Sequence, residues 1–276
     1  MSDSSIEFRP TDCAEYADRM DLTFDFTMAF QPIVNAATQQ IFAHEALVRG
    51  LNNEPAGWVF KKINDRNCYH FEQSCKIKAI KLAAKLNMSS SLCINFMPNA
   101  VHRPQLCIRS AIDTARQYGF PLHRIILEIT ECEKVDDYEH LREIIRYYKQ
   151  LGFKTALDDF GAGYSGLNLF AEIQTDIVKL DMALVRNIDR DKARQAIIKG
   201  IFQVCRDLST MVIAEGVETY EELSILQSFG IELFQGYYFA KPAFQSLATL
   251  PSCMGTHPET WSSALSFETQ HYAFSA

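Results

Sequence analysis

Two adjacent carboxylates, Asp158 and Asp159, follow the apolar run 153–157 and precede a glycine-punctuated turn at 160–166. Successive side chains on a strand point to opposite faces, so both acids reach one place only where the chain bends out of the strand. Held a few ångströms apart, they would repel by roughly 4 kcal/mol at an effective dielectric of about 20, unless one is protonated or a cation lies between them. A metal site would satisfy that demand. A hydrogen-bonded turn with solvated acids explains an isolated Asp-Asp equally well, so the rest of the chain decides between them.

Short apolar, β-rich runs occur at 28–34, 41–48, 92–96, 125–129, 154–157, 177–180, 211–214 and 233–239. After the second run, almost every gap has helical periodicity. The segment 190–208 places Ile197, Ile201, Cys205 and Leu208 on one face. Leu141, Ile144, Ile145, Tyr148 and Leu151 form another, ending at Gly152, a residue suited to a helix C-cap. A third helix opens with Thr219 and Glu222 at capping-box spacing and closes at Gly230. This alternation predicts an α/β fold, a TIM-like (β/α)8 barrel. Only 35–40 separate the first two runs, too few for a parallel crossover. They must form a hairpin, giving one antiparallel strand, most simply the first.

Active sites in such barrels lie at the C-terminal rim. The residues expected there are Glu45, Asn95, Glu128, Asp158, Asp159, Lys179, Glu215 and Gln235. Each alone reads as a surface acid or amide at a loop start. Together, five carboxylates and one lysine at one mouth imply bound cations. Oxygen donors without histidine or thiolate point to hard ions, Mg²⁺ or Mn²⁺, and two ions fit in-line displacement at phosphorus. The residues therefore predict metal-assisted phosphoester hydrolysis. A strand lysine also suits a Schiff-base aldolase, but that chemistry needs a depressed pKa, whereas surrounding carboxylates favour the charged form. A protonated Lys179 would orient the attacking water or hold a phosphoryl oxygen.

The chain has 276 residues, 47% of them apolar, enough for one large domain. Its net charge of −7 argues against a grip on DNA or RNA polymers. Eight scattered cysteines, with no Cys-x-x-Cys pair, read as reduced thiols. No secretory signal pattern and no apolar run of membrane-spanning length is found, so a soluble cytoplasmic protein is expected.

The chain resembles the EAL family of cyclic di-GMP phosphodiesterases, named for the tripeptide standing here as Glu45-Ala46-Leu47. Further matching motifs, in order, start at Phe30, Ile94, Leu127, Asp158, Lys179, Glu215 and Gln235, and the likeness runs from about Phe26 to Pro242. The resemblance implies hydrolysis of cyclic di-GMP to linear pGpG in a barrel with an antiparallel first strand and two divalent cations at its rim. It makes Glu45, Asn95, Glu128, Asp158, Asp159 and Glu215 metal ligands, with Asp158 or Asp159 bridging. Lys179 would position the water, with Gln235 near it; Lys179, Glu215, Asp159 and Gln235 form the expected catalytic set. Gln31, Leu47 and Arg49 match substrate contacts, and arginine suits a phosphate oxygen. Glu131 and Glu218 match residues that hold the loop 160–165, although helix-start acids favoured by the dipole would look the same. A homodimer through the loop after Asp159 is implied too. A catalytically silent cyclic di-GMP receptor is the alternative, and such members usually lack a rim ligand.

Two departures stand out. Many family members carry tryptophan after the arginine, where this chain has Gly50, and the segment 51–71 does not follow the commoner pattern. The expected organisation is an N-terminal extension, 1–25, the phosphodiesterase domain, 26–250, and a C-terminal tail, 251–276.

Overall fold

The computed structural model describes residues 22–64, 66–101, 103–130, 137–163 and 166–250. Glu131, Tyr164 and Ser165 lie outside the described residues, as do nearly all of the N-terminal extension and the whole C-terminal tail.

Strands β1 (Thr27–Asn35) and β2 (Gln40–Arg49) form the antiparallel hairpin that the short connection demands. Strands β3 (Ser91–Asn95), β4 (Ile125–Thr130), β5 (Lys154–Phe160), β6 (Ile177–Leu180), β7 (Met211–Ala214) and β8 (Leu233–Gln235) follow β2 in parallel order. Antiparallel pairing of β8 with β1 closes the barrel. A short additional strand, β9 (Ala243–Phe244), unexpected from the sequence, pairs antiparallel with β1.

Nine α-helices are described: α1 (Ala56–Phe60), α2 (Cys68–Lys85), α3 (Pro104–Cys107), α4 (Arg109–Tyr118), α5 (Tyr138–Gln150), α6 (Gly166–Glu172), α7 (Met182–Val185), α8 (Lys192–Asp207) and α9 (Tyr220–Ser228). Helix α5 buries Leu141, Ile144, Ile145 and Tyr148, and the chain turns at left-handed Gly152. Helix α9 has the expected capping box between Thr219 and Glu222. Among the described residues no helix is long and apolar enough to cross a membrane.

Ile33, Ala43, Cys93, Ile126, Ala156, Ile177, Ile213 and Leu233, one from each barrel strand, form a separate buried cluster. This is an interior layer of the barrel. Strand alternation then dictates the next layer toward the rim. Two residues onward along the parallel strands stand Glu45, Asn95, Glu128, Asp158, Lys179, Glu215 and Gln235. On reversed β1 the step runs backward, to Gln31, which pairs with Glu45. The polar layer thus rests on an apolar floor, and period-two geometry gathers it.

Three sequence expectations need correction. Strand β5 does not end at Leu157. It continues to Phe160 through a bulge, because Leu157 pairs with Val178 and Phe160 with Leu180, leaving one extra residue. Strand β8 stops at Gln235 rather than 239, because the chain turns at Gly236, whose carbonyl accepts from the Phe239 and Ala240 amides at 3.1 and 3.2 Å. Helix α8 buries Ile198 and Cys205, while Ile197 and Leu208 are 49% and 46% exposed. Cys205 and partly buried Ile201 belong to the expected face, so packing turns the buried face only part of the way, taking Ile198 in place of Ile197.

Candidate active site

At the centre of the polar layer lies Lys179, entirely buried. Its ammonium stands 2.8 Å from Glu215, 2.9 Å from Asp158, 3.1 Å from Glu128 and 3.5 Å from Glu45. Gln235 donates to Glu45 at 2.7 Å and to Gln31 at 3.3 Å, and Asn95 donates to Glu45 at 3.3 Å. The β5 bulge solves the problem posed by Asp158 and Asp159. Asp159 takes a left-handed backbone with φ 54°, and its amide donates to Asp158 Oδ1 at 3.0 Å. An extra residue in the strand thereby brings both carboxylates to one mouth. For a non-glycine residue this conformation is uncommon and clusters at functional sites.

Electrostatics follow from burial. Desolvation opposes the Lys179 charge, but Asp158, Glu128, Glu215 and Glu45 outweigh it and hold the ammonium well above the usual lysine range. This favours the charged ammonium and argues against the aldolase reading. Burial pushes Glu128 up to about 8, against the pull of Lys179 and assisted by Glu45 and Asp158. Glu215 is driven well above the carboxylate range by burial, with Asp158 and Glu45 adding to it. Asp159 rises to about 6 through burial, then through Asp158 and Asp181. One lysine leaves the cluster overcharged.

These residues fit hard divalent ions. Glu45, Glu128 and Asp158 offer carboxylate oxygens within 4.8 Å of one another, and so do Asp158, Asp159 and Glu215. Asp158 belongs to both sets. Buried Glu128 meets the Lys179 ammonium at 3.1 Å and the Cys93 thiol, which leaves lone pairs on its carboxylate that an ion would satisfy.

Two cavities share Glu45, Asp158 and Asp159. The smaller, about 290 Å³, is lined also by Gln31, Asp181, Met182 and Tyr237. The larger, about 630 Å³, is mostly apolar, with Leu47, Phe60, Phe71, Glu72 and Phe96 in its wall. Gly50 opens a turn onto Glu54, and a side chain there would run into the Glu54 carboxylate. A tryptophan at this position would have to push the Glu54 side chain aside; half-exposed Phe60 is an aromatic residue in the larger cavity's wall.

Other expected residues lie at the margin. Arg49 ends β2 and donates to the Val48 carbonyl at 2.7 Å; it is absent from the described linings of both cavities. Glu218 lines the smaller cavity and pairs with Arg186 at 2.7 Å, rather than with a described residue of the loop 160–163. Glu131 is outside the described residues.

Sequence reasoning did not single out Asp181, Tyr237 and Glu72, and it read Glu222 only as a cap. Buried Glu222 accepts from the backbone amides of Asn187, Glu218 and Thr219 at 2.9, 2.9 and 3.3 Å, tying two rim loops together. The capping box was the available signal, but the contact with Asn187 spans 35 positions and is invisible to local pattern.

Known proteins resemble this chain in sequence and fold. The family model for the EAL domain matches residues 19–242. The chain is 33% identical over 222 residues to the probable cyclic di-GMP phosphodiesterase PdeG of Escherichia coli, covering 77% of this chain and 44% of that protein. It is 31% identical over 229 residues to the blue light- and temperature-regulated antirepressor BluF of Escherichia coli, covering 83% and 57%. The chain thus spans between about a quarter and somewhat over half the length of the first curated relatives it matches. Among solved structures, a standalone versatile EAL protein from Vibrio cholerae bound to c-di-GMP superposes with TM-score 0.83 at 53% identity, covering 86% of this chain and 100% of that one. Klebsiella pneumoniae BlrP1 with manganese and cyclic di-GMP gives TM-score 0.76 at 36% identity, covering 80% and 56%. With the barrel, its single reversed strand and the carboxylate layer all in place, the chain belongs to the EAL domain family.

Proposed function

We propose that this domain hydrolyses cyclic di-GMP to linear pGpG with the help of two divalent cations, Mg²⁺ or Mn²⁺. The observation carrying this reading is the polar layer of four carboxylates around one buried ammonium, with Asp159 as a fifth at the same mouth. Glu45, Asn95, Glu128, Asp158, Asp159 and Glu215 would hold the ions, and Asp158 belongs to both carboxylate sets. Bound there, the ions supply Lewis acidity and a low-pKa water.

This chain's residues do the rest. Lys179 keeps its proton and donates a hydrogen bond to the attacking water or to a phosphoryl oxygen. Gln235 and Asn95 orient Glu45 from either side. Gln31 and Leu47, in the walls of the two cavities, contact the dinucleotide, and Arg49 reaches a phosphate from the end of β2. Two cavities flanking shared carboxylates suit a substrate with a scissile phosphate between two bases. Water oxygen bonds to phosphorus, one P–O3′ bond breaks, and the departing 3′ oxygen takes a proton, giving a linear dinucleotide with a 5′ phosphate. Glu218 and Glu131 act at the border of the loop after Asp159. We assign the catalytic unit to residues 26–250 and expect it to work as a homodimer.

Names of relatives support the substrate: PdeG is called a probable cyclic di-GMP phosphodiesterase, and the Vibrio cholerae and Klebsiella pneumoniae structures hold cyclic di-GMP. BluF is named an antirepressor, which favours a second reading as a non-catalytic receptor. The complete donor set argues for hydrolysis. Purified protein with cyclic di-GMP and Mg²⁺ or Mn²⁺ should yield pGpG, and Asp159→Asn and Glu45→Ala should abolish it. Tight nucleotide binding without product, ions present, would establish the receptor instead.

A further inference from the structure

The larger cavity has one charged wall residue besides Glu45, Asp158 and Asp159 among the described residues: Glu72, on α2. Its carboxylate is held from two directions. Lys76, one helical turn later and wholly buried, pairs with Oε1. Gln73 donates to Oε2 at 2.8 Å, and Ser110 Oγ donates to the other end of that amide at 2.6 Å. Phe96, whose ring lies 6.0 Å from the Lys76 ammonium, and Cys75 complete an apolar surround.

A buried ion pair is weak evidence for stability, because well-packed apolar residues of similar volume often do as well or better. Its retention in the wall of a cavity calls for another reason. Alone in such a wall, a carboxylate would be driven toward its neutral form by desolvation, and it would then present a donor as well as an acceptor. Burial lowers Lys76 itself to about 7, so the two groups hold their charges only by facing one another, and the ion pair keeps the carboxylate an acceptor. Each oxygen keeps a free lone pair beyond the contacts that hold it.

We propose that Lys76 is a positioning residue for base selection: it fixes the Glu72 carboxylate, ionised, at the cavity wall, where its two oxygens accept the neighbouring N1–H and N2–H donors of a guanine. The proposal rests on the reading that this cavity receives one base of cyclic di-GMP. Adenine offers an acceptor where guanine has N1–H, and hypoxanthine lacks the 2-amino group, so both leave the carboxylate undersatisfied.

The test is a binding ratio, measured by calorimetry with Ca²⁺, which supports little turnover in a magnesium-tuned site. Wild type should bind cyclic di-GMP at least tenfold more tightly than its hypoxanthine counterpart, cyclic di-IMP. Lys76→Met should bring the ratio to within about twofold of one, and Lys76→Arg should restore it. A merely structural role would weaken both ligands alike and leave the ratio where it was, which overturns the proposal. If Lys76→Met does not fold, Glu72→Gln/Lys76→Met, which buries no charge, gives the same reading, and a wild-type ratio there overturns it too. Wild type that binds both equally also sinks it. Selective binding with no hydrolysis once Mg²⁺ replaces Ca²⁺ would count against the enzyme reading alone, whereas failure to bind either dinucleotide would overturn both.

Discussion

The ammonium of Lys179 and the carboxylate of Glu215 stand 2.8 Å apart at the ends of neighbouring strands, and the Glu215 amide extends the ladder by donating to the Leu180 carbonyl at 3.1 Å. Backbone pairing therefore sets the distance between the site's one cation and one of its acids. Lysine offsets a single charge among five.

Lys179→Met should lower cyclic di-GMP hydrolysis by roughly 10²–10³-fold, the usual loss for one preorganised donor. It should also lower the melting temperature of metal-stripped protein, since the carboxylates then face one another without a counterion. Steady-state kinetics and thermal melts check both, and near-wild-type turnover would remove Lys179 from the mechanism.

Metal-free protein should lose stability as pH rises. Folding raises Asp159 to about 6 and Glu128 to about 8, whereas the unfolded chain gives up these protons near pH 4. The folded state thus binds more protons over that interval, and its advantage, complete at low pH, drains away as pH climbs from 4 through 6 to 8. Melting in chelator should fall between pH 6 and 8.5, and saturating Mn²⁺ should flatten the slope. Glu128→Gln should reduce it; an unchanged slope would discredit the cluster as its source.

Glu222→Ala leaves the backbone amides of Asn187 and Glu218 without their acceptor and removes half of the capping box. A loss of about 3 kcal/mol is expected. Urea unfolding reads it directly, and a loss below about 1 kcal/mol would mean the loops find other partners.

Gly236→Ala places a methyl group against the Val217 backbone, next to Gln235 and two residues from Glu215. Overpacking of this kind costs roughly 1–3 kcal/mol. Because the displaced backbone carries site residues, Mn²⁺ affinity should fall along with stability. Calorimetric titration showing weaker folding but intact ion binding would separate the two.

Much of the frame was legible because its causes are local. The six residues 35–40 cannot span a parallel crossover, the α5 stripe ends where Gly152 can turn left-handed, and Thr219 with Glu222 marks a helix start. Rim residues were legible because strand alternation places them once the barrel is assumed. What stayed hidden depends on partners distant in sequence. The bulge at Asp158 and Asp159 exists only relative to the register of β6. The buried face of α8 is chosen by the sheet beneath it, and Glu72 with Lys76 looks like any solvated pair one helical turn apart until α2 packs beside the cavity.

Reversing the first strand has a directional result. Because β1 descends from the mouth, Thr27 sits level with Arg49 at the open end, and β9, climbing antiparallel to it, sends the chain back upward past Phe244. Entry to and exit from the barrel therefore both lie at its open end, on the side of the carboxylate layer.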